Sequence, residues 1–420
     1  MSEQPEPVPP VQPATLQSPA SLAWQRFIAR GSSRFGLVVM SVIVALGIYA
    51  PFISNELALV WWSKDGLSFP AFTDLFNRRS YEKPHDLFFN VAALLLPPLL
   101  VGQWFLRQRI RTGRRIAGMF ALIIAVGLMC WTPFIPGKNG WTAIWDHRPF
   151  VEQNIQTWRE LPPESRPLAV FAPVKHRFDA TYPGAVLQSP GTHNPLTGGT
   201  YWLGTDAGGH DVLTHLFFGA RISLTVGLVA TGLAFFIGII IGAVSGYFGG
   251  WIDILLQRMV EIMMCFPTFI LILTVVAMLD RDIFIIMIVI GLTGWAGVAR
   301  LVRGEFLSHS VRDYVVAAEA LGLPKWRIMF RHIMPNAIAP LIISATFAIA
   351  GSVGAESGLA FVGLGDPTTP SWGVLMEQGR QNIRYPWLIY TPGLAIFIIV
   401  MTLNLLGNNL REAIDPKNNR

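Results

Sequence analysis

Residues 313–336 read DYVVAAEALGLPKWRIMFRHIMPN, a charged stretch set between two long apolar runs. A polar connector in that position must be held against a membrane. Tyr314 to Leu321 reads as a short helix with small residues at Ala317, Ala318 and Ala320. Gly322 ends it, because glycine takes a left-handed backbone at little steric cost. Pro324 bars its continuation, and Lys325 to Ile333 reads as a second helical stretch. Small side chains on a short exposed helix let another protein's surface approach closely, and Lys325, Arg327 and Arg331 flank it. The residues alone leave an ordinary connector open as the alternative.

The surroundings are those of a membrane protein. Of 420 residues, 52% are hydrophobic and 14% charged, where soluble domains carry about 25% charged residues. The net charge of +6 does not point to nucleic acid. The basic residues cluster beside apolar runs, as the positive-inside rule expects. Cys130 and Cys265 lie in or at the edge of apolar runs. They make neither a disulfide framework nor a metal set and read as buried thiols. Residues 1–21 are rich in Pro, Gln and Ser and lack a basic start followed by an apolar run. They read as a disordered cytoplasmic tail, extending to the first span at 35, and not as a signal peptide.

Apolar runs predict eight membrane spans, over 35–53, 87–106, 116–133, 222–246, 254–279, 283–299, 337–362 and 387–406. Arg26, Arg30 and Arg34 precede the first, and five arginines lie between the second and third. Both features put the two termini in the cytoplasm. Residues 54–86 and 137–201 are then extracytoplasmic, the latter as a cap with little regular structure. Its aromatic and charged residues either face a partner or close the cap. Pro97-Pro98 and Pro267 predict kinks. Gly238, Gly242 and Gly246, four apart, put small residues on one helix face, which suits close packing in lipid.

Four acidic residues stand out. Asp206 and Asp211 sit among Gly204, Gly208 and Gly209, where they can cap short helices beside tight turns. Glu261 lies three residues after Arg258 and can pair with it. Glu356 lies deep in an apolar run, where an ionisable group is costly and defaults to a functional role. It either bonds a neighbouring helix's backbone or meets cargo. His210 and His215 lie near the two aspartates, with His193 not far off, but no metal-ligand spacing is met and no metal is expected. There is no Gly-rich loop ending in Gly-Lys-Ser/Thr, no H-E-x-x-H and no G-x-S-x-G, so neither a P-loop nor a catalytic set is expected.

The 313–336 stretch resembles the "EAA" coupling loop of binding-protein-dependent ABC importer permeases. That pattern is Glu-Ala-Ala, three residues, Gly, nine residues, then Ile-x-Leu-Pro. Ala317, Ala318 and Gly322 match, and Met334-Pro335 stands for Leu-Pro. Val316 replaces the Glu, and His332 holds the Ile position. Arg331 to Asn336 is similar to the variant of dipeptide and oligopeptide permeases. Residues 202–213, WLGTDAGGHDVL, resemble that group's G-T-D-x-x-G-R-D-V-L with His210 in place of Arg, and Gly219-Ala220-Arg221-Ile222-Ser223 follows. ESGLAFVGLG at 356–365, PSWG at 370–373 and LREAIDP at 410–416 are family-like too. The likeness is strong over 202–416, weak over 35–53 and absent over 54–200.

The resemblance implies an all-α polytopic membrane protein with a MetI-like transmembrane domain at 202–416. Permeases of this group have six spans, so the pair within 87–136 is an insertion. It implies a coupling surface at Tyr314, Ala317, Ala318, Ala320, Gly322, Met334 and Pro335, docked on cytoplasmic ATPase subunits. ATP is then bound by those partners, and this chain holds no cofactor. A second related permease, an extracytoplasmic solute-binding protein and inner-membrane lipid complete the expected surroundings. Asp206, Asp211, Glu261 and Glu356 are structural or gating candidates. Cargo would be an oligopeptide, a dipeptide, nickel or a peptide antibiotic. An ion-gradient-driven secondary transporter is the competing reading, but repeat halves with paired broken helices are not evident. A membrane enzyme using 137–201 lacks an acid–base pair.

Overall fold

The computed structural model describes residues 19–64, 66–77, 80, 81, 83–106, 118, 121–123, 125–127, 129 and 153–415. The first 18 residues of the expected tail at 1–34, the five arginines, Cys130 and most of the expected span at 116–133 lie outside the described residues; the rest of that tail is not disordered but helical, as Pro19–Ala29 and from Gly31 onward.

The chain opens with α1 (Pro19–Ala29), α2 (Gly31–Ile48) and the short α3 (Ala50–Ile53). Next come β1 (Ala58–Ser63), β2 (Gly66–Ser68), α4 (Pro70–Asp74) and α5 (Pro84–Leu106). The α5 helix continues through Pro97 and Pro98. After residue 153 follow α6 (Ile155–Glu160), β3 (Leu168–Phe171), β4 (Thr192–His193) and β5 (Thr200–Tyr201). The cap is more regular than its composition suggests. An antiparallel sheet of order β2-β1-β3 joins residues on either side of α5, pairing Trp62 with both Leu67 and Leu168. The valine and tryptophans of β1 suit such a pleated surface, but its partner strand is about a hundred residues away in sequence.

Helix α7 (Val212–Phe248) is 37 residues long, roughly 55 Å at 1.5 Å per residue. It therefore overshoots a bilayer core of about 30 Å, and the expected span at 222–246 misses its N-terminal part, Val212 to Arg221. Gly249 and Gly250 follow at φ +62° and +57°, a left-handed turn that glycine makes without strain.

The expected span at 254–279 carries its expected kink at Pro267 as a full break. It is two helices, α8 (Gly250–Cys265) and α9 (Thr268–Met278), bent by 81°. The break has a local cause. Phe266 precedes a proline and is driven to extended backbone, and Pro267 offers no N–H. Cys265 ends α8 exposed and not buried.

Helix α10 (Ile283–Ser310) starts on an Asp282 cap whose carboxylate accepts the Phe284 N–H at 2.8 Å. After it come α11 (Asp313–Ala320) and α12 (Lys325–Arg327). The backbone then widens to a π-helix over Ile328–Ile333 and runs into α13 (Met334–Leu359). A second π turn spans Ala360–Leu364, followed by α14 (Trp372–Gln381) and α15 (Trp387–Ile414). The second helical stretch of the loop is thus continuous with the span after it, 40 residues in all from Lys325 to Leu364. Pro335 falls where the π turn at Ile328–Ile333 passes into α13, and such a local π adjustment accommodates the N–H that proline lacks.

Among the described residues, six helices are long and apolar enough to cross a membrane, or seven if the bent pair is one span. The core is a seam between α7 and α10. A Cβ on Gly238 would lie 2.6 Å from Val298 Cβ, and one on Gly246 would lie 2.7 Å from Phe306 Cβ. Only hydrogen fits at these crossings, so the backbones approach closely. At the other edge of the bundle Arg30 pairs with Glu412, and Asn409 donates to Ser32 Oγ at 3.0 Å, so α2 and α15 meet at their outer ends.

Candidate functional site

Two polar constellations occupy opposite ends of α7. At the Phe248 end lies the 313–336 loop. Val315 and Ala318 on α11 are buried with Val302 and Phe306 of α10 and with Ile328, Met329 and Ile333. This apolar anchor holds the loop against the bundle. Tyr247 Oη donates to Glu319 Oε1 at 2.9 Å, tying the loop to α7 itself.

The small-residue stripe divides. Ala318 points into the anchor, whereas Ala317 and Ala320 are exposed. Tyr314, Ala317 and Leu321 share one outward face, because residues three and four apart stack on a helix. Leu321 is 80% exposed, and Trp326 and Phe330 stand out beside it with their rings stacked at 5.8 Å. Gly322 has φ +71°, and a Cβ there would meet nothing within 4 Å. Its role is the backbone turn, closed by the N–H of Leu323 on the Ala318 carbonyl at 3.2 Å. Met334 is half-buried and Pro335 exposed, one turn below Phe330. Sequence reasoning missed Leu321, Trp326 and Phe330 as surface. Large apolar residues in a connector that also carries Lys325, Arg327 and Arg331 were the available signal.

At the Val212 end, Gly204 to His215 forms a tight polar knot. Asp206 does not cap a helix, as expected, but bends its own turn. Its Oδ1 accepts the N–H of Gly208 at 2.9 Å and of His210 at 2.8 Å. Asp206 is fully buried. Burial alone would raise its carboxyl, but the hydrogen bond from His210 and the nearby His215 outweigh that and hold it at about 2. His210 is lowered by burial and raised more strongly by Asp206, so it ends above its ordinary value. Asp211 stands at the cap of α7, yet its side chain accepts the Thr214 hydroxyl at 2.7 Å and no backbone N–H. It also faces His176 at 3.5 Å. His193 is exposed on β4, apart from this knot.

The remaining acids are separate from both ends. Glu261 is exposed on α8 and pairs with Arg258 at 2.6 Å. Glu356 is buried in α13, where the hydroxyls of Ser357 (3.3 Å) and Ser371 bond it, so its partners are side chains and not a helix backbone. Sequence reasoning did not single out Arg221 for a role. It is fully buried on α7, donating to the Gly47 carbonyl at 2.7 Å and to Asn90 Oδ1 at 2.9 Å. A lone arginine and asparagine inside apolar runs were the signal for it.

Comparison with known proteins matches this layout. Residues 238–420, which include all of the 313–336 loop, fit the family model "Binding-protein-dependent transport system inner membrane component". A dipeptide transport system permease protein of Alkalihalophilus pseudofirmus is 36% identical over 60% of this chain and 81% of its own. A peptidoglycan transport system permease protein of Agrobacterium fabrum is 37% identical over 66% and 72%. An oligopeptide transport system permease protein of Haemophilus influenzae is 38% identical over 53% and 72%. A multi-pass bundle, a braced polar loop and this extent of likeness converge on one assignment: the chain belongs to the binding-protein-dependent transport system inner membrane components, the membrane permeases of ABC importers.

Proposed function

We propose that this chain is one half of the pore of a peptide importer and that residues 313–335 are where ATP-driven motion enters it. The observation that carries this is the loop's two-sided construction. Its inner face is anchored in the α10 core, while Tyr314, Ala317, Leu321, Trp326 and Phe330 face outward. A rigid apolar knob of this kind is suited to a groove on a cytoplasmic ATPase subunit, with aromatic anchors at its centre. ATP is bound by those subunits and not by this chain. A second, related permease completes the pore, and a solute-binding protein delivers cargo on the far side.

The relatives named for dipeptides, oligopeptides and peptidoglycan support peptides as the cargo class. The basic residues beside the loop support a cytoplasmic loop and cytoplasmic termini. Because Lys325 to Pro335 is continuous with α13 and α11 is braced on α7 and α10, a displacement of the loop tilts those helices together. An ion-gradient mechanism has no support in the family assignment.

The test is capture of the ATPase subunits by the solubilised chain, comparing wild type with Gly322→Asp. The variant keeps the core intact, since Gly322 packs on nothing, but it strains the turn and adds charge to the docking face. Loss of capture with unchanged elution on gel filtration supports the proposal. Equal capture by both proteins, or no capture by either, overturns it.

A further inference from the structure

We propose that Asp206, His210 and His215 form a binding site for one divalent transition-metal ion of zinc-like chemistry, at the end of α7 opposite the coupling loop. The site stands on these side chains alone and needs no assumption about transport.

Two imidazoles and a carboxylate are the donor set that borderline ions take. One ligand atom from each residue lies within 4.8 Å of the others, with Asp206 and His215 buried. His210 Nδ1 is 3.1 Å and His215 Nδ1 3.8 Å from Asp206 Oδ2. Donors placed tetrahedrally around zinc stand about 3.3 Å apart, so small side-chain rotations seat the ion.

The surrounding bonds prepare His215 and Asp206. His215 Nε2 lies 2.9 Å from the Phe178 carbonyl. A carbonyl only accepts, so that nitrogen carries the proton, and in the neutral ring Nδ1 presents its lone pair. That lone pair faces a carboxylate oxygen, an arrangement a cation between them relieves. A backbone carbonyl holding the second nitrogen is how metal-bound histidines are oriented. On Asp206 the two backbone N–H groups take Oδ1, while Oδ2 faces His210 Nδ1 and His215 Nδ1 and accepts only a long bond from Gln378 Nε2. The His210 and His215 rings stack at 4.9 Å, fixing both planes.

There is room for the rest of a coordination shell. The three side chains line a cavity of about 250 Å³ whose far wall includes Thr368, Thr369 and Gln378. Gln378 Nε2 reaches Asp206 Oδ2 at 3.3 Å from α14. The ion would therefore sit between the start of α7 and the loop after α13, with its open position toward water or a ligand group. The spacing His210 to His215 matches no metal motif because one residue is on a turn and the other on the first turn of a helix. The related pattern has Arg at position 210, a cation covalently in place beside Asp206. Here two histidines stand instead, and neither carries a permanent charge.

The test uses full-length protein in lipid nanodiscs, freed of any chelating tag and titrated with cobalt(II) chloride. Wild type is expected to bind one equivalent with visible d–d bands that zinc bleaches. His215→Asn and His210→Arg should each weaken binding by at least about tenfold, while His193→Asn leaves it unchanged. His210→Arg places the family's residue beside Asp206 and keeps the turn folded, so it decides the matter if His215→Asn does not fold. Absence of saturable cobalt binding by folded wild type overturns the site, as does equal binding by folded His210→Arg. Transport is not read, so neither outcome bears on the permease assignment.

Discussion

Arg221 on α7 donates through Nη2 to Asn90 Oδ1 on α5 at 2.9 Å, with both side chains fully buried. The same guanidinium reaches the carbonyls of Gly47 and Ile48 at the end of α2 and lies over the rings of Phe89 and Phe218. Asp86 stands 3.5 Å away. One arginine thus fastens α5 and α2 onto α7. Asn90→Leu strands a guanidinium donor and the Leu75 carbonyl, which Asn90 also bonds. It should cost about 1–3 kcal/mol. Arg221→Met leaves Asp86 without its cation and should cost more. Thermal unfolding of the detergent-solubilised protein checks both; an unchanged midpoint for Arg221→Met would remove the fastening role.

The glycine seam predicts a sharp contrast along one helix. Gly238→Ala pushes a methyl group to within 2.6 Å of Val298 and should destabilise by about 1–3 kcal/mol. Gly232 has nothing within 4 Å of a built Cβ, so Gly232→Ala should be neutral or slightly stabilising. Equal effects in the unfolding midpoint would mean the seam is not tight.

The exposed apolar knob predicts a loss of docking without a loss of fold. Leu321→Ser with Trp326→Ala removes two side chains that are 80% and 57% exposed. Capture of the ATPase subunits should weaken about tenfold or more, with the unfolding midpoint unmoved. Val315→Asp should instead unfold the loop, since Val315 is fully buried.

Lys83 gives a pH dependence. Its Nζ donates to Asp282 at 2.8 Å and to Asp366 at 3.1 Å. Burial would raise the Asp282 carboxyl, but the Lys83 hydrogen bond and the Phe284 N–H outweigh it and hold it below its ordinary range. Burial would lower Lys83, and the two aspartates outweigh that and raise it. A depressed carboxylate stabilises above its unfolded value, and that stability is lost as pH falls through the folded one. A raised lysine stabilises below its unfolded value and loses that only as pH rises through the folded one. Stability from this cluster is therefore flat at neutral pH and falls in acid, below about pH 4. Asp282→Asn should flatten the acid limb of midpoint against pH, and an unaltered limb would refute the assignment.

Much of the 313–336 loop was legible because its chemistry is local. Gly322 takes the left-handed turn and Pro324 starts the next segment, as backbone sterics require. The inward turn of Ala318 was not legible, since it depends on where Phe306 and Ile328 sit. The break at Phe266-Pro267 was visible as a kink, but its 81° size depends on the two helices packing on different neighbours. Spans read from apolar length came out near their places and too short at the ends. At 212–221 the helix continues through Thr214, His215 and Arg221, whose polar side chains interrupt the apolar run.

By itself the sequence determined the class of molecule, the order of its membrane helices and the motifs at 202–213, 313–336 and 356–365. These follow from apolar length, from glycine and proline geometry, and from residue types at fixed short spacings. Only the tertiary structure decided which faces of the loop are free, that Arg221 closes on Asn90, and that Asp206, His210 and His215 converge beside Phe178. Each of these joins residues on separate elements, and their separation in space is set by helix packing, which short-range spacing does not encode.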